Sequence, residues 1–318
     1  FMLHRAVFMV FMAVVGSMST AFPAGSETAV FVSILPQKYF VERIGGDLVD
    51  VHVMVPPGAG PATYEPKPRQ MAALSQARIY FAVGVPFERA WLDRIAAANP
   101  GMRIVHTDAG IQKIPMAAHH HEGDHGKTPD ARGRHPEVHG SDRAPETDPH
   151  QHETGTSLDP HVWLSPPLVK IQARHILEAL STADPGNASV YAANYRAFLE
   201  EIEALHQELL AVFKDRQGEA FMVFHPSWGY FAATYGLRQI AIELEGKAPK
   251  PAQVMDLIAT ARTAGVKVIF VQPQFSTKSA RVIANAVQGE IAIADPLAEN
   301  WPQNLRTQAQ KLQQTLKP

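Results

Sequence analysis

Residues 187–213, with the sequence NASVYAANYRAFLEEIEALHQELLAVF, form the longest helical pattern in the chain and decide how the rest of it is divided. Apolar side chains recur there every three or four residues, at Tyr191, Tyr195, Phe198, Ile202, Leu205, Leu209 and Val212. This spacing is typical of an amphipathic helix. Pro185 and Gly186 precede the helix, and 214–218 end it. At about 1.5 Å per residue it spans roughly 40 Å, which predicts a rigid spine joining two lobes.

Apolar β-branched runs alternate with helical patterns on both sides of this helix. On the N-terminal side, strands are predicted at 29–35, 49–55, 79–83 and 103–106, and helices at 67–77, 87–98 and 168–180. On the C-terminal side, strands are predicted at 220–224, 239–243, 266–271 and 290–294, and helices at 228–235, 251–264, 277–287 and 304–316. Such alternation predicts an α/β fold with two lobes, each a mostly parallel sheet flanked by helices.

The resulting division places an export signal at 1–21, an N-terminal lobe at 22–185, the linking helix at 186–216 and a C-terminal lobe at 217–318. In the signal, Arg5 precedes an apolar run at 6–15, and Ala21 ends a stretch of small residues. The run is shorter than the roughly 20 residues that span a bilayer, so we expect cleavage near Ala21 and no membrane span. A buried first helix is the alternative.

Composition excludes several classes of function. The chain has 318 residues, a formal net charge of −2 and no cysteine. Near-zero charge argues against a nucleic-acid partner, which needs a basic face. The lack of cysteine excludes disulfides, Fe–S clusters, a thiol nucleophile, a Cys-ligated metal and a Cys-linked lipid anchor. Export without a cysteine anchor predicts free diffusion in the periplasm. We also expect the protein to be a monomer.

The histidines are unevenly distributed. Of 15 in the chain, eight fall within 117–157: His119, His120, His121, His125, His135, His139, His150 and His152. This stretch has no apolar periodicity and predicts a disordered loop. Imidazoles with a pKa near 6.5 are mostly neutral at pH 7, so the loop is predicted to collect metal with low affinity. The alternative is a solvated spacer of biased composition.

Three other residues form a candidate metal site. His161 lies in an Asp-Pro-His turn at the exit from the loop, and His225 and Asp295 follow the predicted strands 220–224 and 290–294. Ligands of open α/β sheets bind at the carboxyl ends of strands. Two imidazoles and one carboxylate are a ligand set for a divalent metal. From spacing alone, ordinary turns are the alternative.

Several segments, taken in order, resemble the periplasmic metal-binding proteins of zinc and manganese ABC importers, the cluster with a rigid helical linker. They are VPPGA at 55–59 with TYEP at 63–66, LDPHVWL at 158–164, VFH at 223–225 with YF at 230–231, QPQFS at 272–276, and DPL at 295–297. The likeness runs from about residue 29 to the C-terminus, and zinc-type members often carry a His-rich insertion where this chain has one.

The resemblance implies the roles of these residues. His161 would be a metal ligand from the N-terminal lobe, His225 and Asp295 ligands from the C-terminal lobe, and the metal would lie in the cleft between them. A histidine at 225 resembles zinc-type members, and imidazole suits Zn²⁺ better than Mn²⁺. The expected function is capture of Zn²⁺, with Mn²⁺ as the alternative cargo, and delivery to a membrane permease driven by a separate ATPase.

The chain departs from the family pattern at Ala62, where the family normally carries a histidine. One of four usual protein ligands is therefore missing. Water can take its place, a loop histidine or Glu65 can fill it, or high-affinity binding has been lost; the sequence leaves all three open. At Gln272 the family often has glutamate.

An extracytoplasmic zinc hydrolase is the alternative from a different class, because three protein ligands plus water is also a catalytic zinc pattern. A hydrolase needs a positioned general base, for which Glu65 or Glu245 are the candidates. The sequence contains no HExxH, GxSxG or P-loop pattern. We therefore predict a binding protein and not an enzyme.

Overall fold

A computed structural model describes residues 27–116, 157–243 and 246–315. The predicted export signal at 1–21, and all of the predicted His-rich loop except Ser157, lie outside these residues. The described chain contains two parallel four-stranded sheets flanked by helices. This confirms the predicted α/β fold with two lobes. Within the described ranges, no helix is long and apolar enough to cross a membrane.

The first sheet belongs to the N-terminal lobe. Its strands are β1 (Thr28–Val32), β2 (Val49–Val53), β3 (Ile79–Ala82) and β4 (Arg103–His106), in the order β2-β1-β3-β4. Its helices are α1 (Leu35–Gly45), α2 (Pro68–Leu74) and α3 (Pro86–Ala98). Each helix has a proline in its first turn, where the missing N–H costs nothing.

The second sheet repeats this topology after the long helix. Its strands are β5 (Ala220–Val223), β6 (Arg238–Ala241), β7 (Val268–Val271) and β8 (Glu290–Ile293), in the order β6-β5-β7-β8. The helices that follow are α6 (Gly229–Tyr235), α7 (Pro251–Thr263), α8 (Lys278–Val287) and α9 (Trp301–Thr315). In both sheets the strand order reverses beside the first strand, and such a switch point opens a crevice at the carboxyl edge.

Two helices connect the sheets: α4 (Pro166–Ala183) and α5 (Ala188–Phe213). The 26 residues of α5 span about 39 Å. Its buried face is made by Tyr191, Phe198, Ile202, Leu205, Leu209 and Phe213. Because α5 packs against α1, α4 and α9, it is held along its length by both halves of the chain. The predicted long helix is therefore present, with nearly the predicted bounds.

Two buried tryptophans fasten the halves together below the cleft. The indole N–H of Trp163 donates to the carbonyl of Pro296 at 2.7 Å, and that of Trp301 donates to the carbonyl of Trp163 at 2.7 Å. Trp301 also packs edge-on against Phe40 of α1, with ring centroids 5.2 Å apart. These bonds tie the segment after His161 directly to the segment after Asp295.

Candidate metal centre

His161 is held by its own turn. It follows Pro160 and precedes a short 3₁₀ turn, Val162–Leu164. The carboxylate of Asp159 accepts from the backbone N–H of His161 at 2.9 Å and lies 2.7 Å from its Nδ1. The histidine is only 8% exposed. Burial lowers the pKa of His161 against the opposing effect of Asp159, so the ring is neutral at pH 7 and able to ligate a metal.

His225 is held by side chains from the ends of neighbouring strands. Its Nδ1 lies 2.6 Å from Oε1 of Glu243, a buried carboxylate just beyond β6. Gln272, just beyond β7 and 1% exposed, accepts from the backbone N–H of His225 at 3.2 Å. Its amide nitrogen donates to the His225 carbonyl at 2.8 Å and to Ser227 Oγ at 3.0 Å. The amide therefore clamps the backbone on both sides of the imidazole.

The structure brings the two predicted imidazoles together across the cleft. The ring centroids of His161 and His225 are 5.3 Å apart, with an interplanar angle of 70°. With Zn–N bonds of about 2.0–2.1 Å and tetrahedral angles, two imidazole centroids on one zinc lie roughly 5 Å apart. Since each Nδ1 faces a carboxylate, each Nε2 is left for a metal. Carboxylate–histidine–metal chains of this kind fix the tautomer and increase ligand basicity.

Both rings line a mostly apolar cavity of about 90 Å³ between the lobes. Its lining residues are Gly60, Pro61, Ala62, Val85, Pro86, Met116, Pro160, His161, His225, Gln272, Gln274, Phe275, Pro296 and Leu297. Phe275 covers one face of the His225 ring in a stacked arrangement, at 5.3 Å between centroids. Ala62, at the position where the family normally has a histidine, lines this cavity and contributes only a methyl group.

The third predicted ligand, Asp295, does not join the histidine pair in this structure. It follows β8 by two residues, and its Oδ1 accepts from the backbone N–H of Leu297 at 3.0 Å and from Gln274 Nε2 at 3.3 Å. It lines a neighbouring cavity of about 220 Å³. In the described part of the chain, no three His, Asp or Glu side chains are grouped so as to hold a metal ion.

The site also contains three residues to which the sequence reasoning gave no role there: Asp159, named only as part of a turn, Gln272, named only as a departure from the family, and Glu243. A signal existed for each of them. Asp159 stands two residues before a predicted ligand, where an aspartate commonly closes a turn. Glu243 and Gln272 follow strands that flank β5 in the sheet, so their positions at the carboxyl edge follow once strand order is known.

Known proteins match this chain over most of its length. The family model described as "ZnuA: Zinc-uptake complex component A periplasmic" matches residues 30–315. The high-affinity zinc uptake system protein ZnuA of Brucella abortus is 29% identical over 312 residues, 92% of this chain and 93% of that protein. A crystal structure of ZnuA superposes with a TM-score of 0.77 and 40% identity, covering 91% of this chain and 99% of that one. A ZnuA deletion mutant with zinc bound gives a TM-score of 0.77 and 39% identity over 92% and 100% of the two chains.

These matches confirm the resemblance seen in the sequence. They favour zinc over manganese as the cargo, and they are to binding components of a transport system rather than to hydrolases. The chain therefore belongs to the ZnuA family, the periplasmic zinc-binding components of ABC zinc importers.

Proposed function

We propose that this chain captures Zn²⁺ between its lobes, with Nε2 of His161 and Nε2 of His225 as ligands, and delivers it to a membrane permease. The observation that carries the proposal is the 5.3 Å separation of two imidazoles whose Nδ1 atoms both face buried carboxylates. Asp159 and Glu243 supply two negative charges behind the rings, which offset the charge of a divalent cation without contacting it.

We propose Asp295 as a third ligand that turns to the ion when zinc binds. Its carboxylate is one residue from Pro296 and two from Leu297, both of which line the cavity of the histidine pair. Rotation breaks the bonds that Oδ1 accepts from the Gln274 amide at 3.3 Å and from the Leu297 N–H at 3.0 Å, and the contact of the carboxylate with Zn²⁺ offsets that loss. The remaining coordination position, beside Ala62, is filled by water, a loop histidine or Glu65, which are the candidates from the sequence.

The His-rich stretch supports the same function as a collector of zinc. The described residues on its two sides are joined by two backbone hydrogen bonds. The N–H of Met116 donates to the carbonyl of Ser157 at 2.7 Å, and the N–H of Asp159 donates to the carbonyl of Ile114 at 2.9 Å. Met116 itself lines the cavity. The described residues that flank the segment with the eight histidines therefore lie beside the proposed site.

Cellular placement and partners complete the proposal. From the sequence we expect export with cleavage near Ala21 and a monomeric protein in the periplasm. We also expect this protein to dock to an ABC permease that works with its ATPase. The family is periplasmic by description, which supports the compartment.

Zinc titration of the ligand variants tests this function. We expect His161→Ala and His225→Ala each to abolish the tight zinc equivalent in a chelator competition assay. His175→Ala, at a half-buried position of α4 that does not line the cavity, should leave it intact. Deleting 117–156 should remove weak zinc equivalents; if it also loosens the tight site, a loop histidine stands beside Ala62. Unchanged zinc affinity in both ligand variants would overturn the proposed site.

A further inference from the structure

One segment, residues 54–67 between β2 and α2, forms a wall of three cavities. Gly60, Pro61 and Ala62 line the cavity of the histidine pair. Pro56 lines the neighbouring cavity that contains Asp295. Pro56 also lines a third cavity on the outer side of the segment, together with Tyr64 and Lys67. A molecule held in the outer cavity therefore touches the same short segment that borders the proposed zinc site.

The outer cavity, which we call the basic groove, has a volume of about 440 Å³. It is lined by Phe31, His52, Val53, Pro56, Tyr64, Lys67, Arg69, Gln70 and Ala73. None of these described residues is acidic. Lys67 and Arg69 are exposed and make no ion pair within the described ranges. Two carboxylates adjoin these lining residues: Asp50, whose Oδ2 lies 2.9 Å from His52 Nε2, and the exposed Glu65, which stands between Tyr64 and Lys67 in the chain.

The floor of the groove is aromatic and ordered by hydrogen bonds. His52 stacks on the buried Phe31 ring, at 5.0 Å between centroids and an interplanar angle of 28°. The hydroxyl of Tyr64 donates to Oε1 of Gln70 at 2.5 Å. The amide nitrogen of Gln70 donates to the Met54 carbonyl at 2.7 Å. The groove thus combines a recessed apolar floor with two cationic side chains on its rim, which suits an inserted side chain with a carboxylate.

The same bonds connect the groove to the zinc cavity. Gln70 ties Tyr64 back to Met54, the residue that begins the shared segment. Ala62, which faces the histidine pair, is two residues from Tyr64. The 54–67 segment therefore joins the groove, at Tyr64 and Lys67, to the wall of the zinc cavity, at Ala62. A connection of this kind is one way for docking at the groove to loosen zinc that the free carrier holds.

We propose that the basic groove docks an acidic, carboxylate-bearing segment of the importer's membrane permease and that docking shifts the 54–67 segment at the zinc cavity. This rests on the proposed function. An acidic protein segment fits better than anionic lipid headgroups, since the groove is a concave pocket with an aromatic floor and not a flat basic face.

Charge reversal in the groove tests the proposal. The double variant Lys67→Glu/Arg69→Glu is compared with Lys214→Glu/Lys311→Glu, an equal change of charge on exposed residues of the linker end and α9. Both should bind zinc like the wild type. In proteoliposomes that contain the cognate permease and ATPase, we expect the groove variant to need about tenfold more protein for the same zinc-dependent ATP hydrolysis. The control should match the wild type; equal stimulation by both variants would overturn the proposal.

A labelled hexaglutamate peptide provides a second test that does not depend on zinc. Its anisotropy at low ionic strength should report binding to the wild type and the control and about tenfold weaker binding to the groove variant. Bound peptide should also accelerate zinc release from the wild type in stopped flow. Equal peptide binding by all three proteins would refute the docking site. Co-sedimentation of the wild type with phosphatidylglycerol vesicles, without binding of the peptide, would refute it as well. Unchanged zinc release would refute the link, whereas wild-type protein without a tight zinc site would refute the proposed function alone.

Discussion

Replacing Glu243 by glutamine tests whether the carboxylate behind His225 contributes to zinc affinity. Glutamine has nearly the same shape, and its carbonyl still accepts from Nδ1 of His225. The 2.6 Å charge-assisted bond becomes a weaker neutral one, and the buried side chain, 6% exposed, loses its negative charge. Outer carboxylates of this kind contribute about 10–100-fold to metal affinity. We therefore expect zinc to bind about 1.4–2.8 kcal/mol more weakly.

Competition with a chromophoric chelator at pH 7.5 measures this change, and a thermal melt of the metal-free protein checks that the fold is intact. Glu290→Gln, at the exposed start of β8, is the matched control and should retain wild-type affinity. The reasoning predicts a further loss, in Glu243→Ala, because the ring then has no acceptor. A loss below twofold in Glu243→Gln, with an unchanged melt, would show that His225 binds zinc without help from Glu243, or does not bind it.

Three further outcomes are expected. Burial lowers the pKa of His161, so the unfolded chain binds more protons than the folded one below about pH 6.5; the metal-free protein should lose stability as the pH falls from 7.5 to 5.5, and His161→Gln should flatten that dependence. Trp301→Phe should cost about 1–3 kcal/mol in urea unfolding because it leaves the buried carbonyl of Trp163 without its donor, whereas Trp91→Phe on α3 should cost less; equal costs would contradict this account. Phe275→Ala uncovers one face of the zinc-site imidazole, so zinc should dissociate severalfold faster in stopped flow, and an unchanged rate would count against a shielding role.

The sequence predicts most of the fold because the two periodicities are clear in it. The helix at 187–213 shows an uninterrupted spacing of three and four, and the structure places α5 at Ala188–Phe213. Helix α1 was missed. The apolar run 29–35 continues through its first residue, so hydropathy alone does not show that the strand ends at Val32. The chain turns there because the side chain of Gln37 accepts from the backbone N–H of Ser33.

The site was predictable only in part. His161 and His225 could be chosen because each stands at a turn that the sequence marks, after a proline or after a strand. Glu243 was not chosen, since its contact with His225 depends on β6 lying beside β5. Asp295 follows a predicted strand, but the direction of its side chain is decided by the bonds that it accepts from Gln274 and the Leu297 N–H. Sequence patterns carry no information on such a rotamer.

The tryptophan pair below the cleft has a consequence for the kinetics of zinc exchange. Trp163 and Trp301 connect the two halves by consecutive buried hydrogen bonds, and α5 runs behind them. A wide separation of the two lobes would expose both indoles and break both hydrogen bonds. Widely open conformations are therefore sparsely populated at equilibrium. The imidazoles are therefore preorganised, and zinc binding spends little free energy on bringing them together. The radius of gyration should be nearly the same with and without zinc, and ion exchange should be limited by movement of the segments around the cavity.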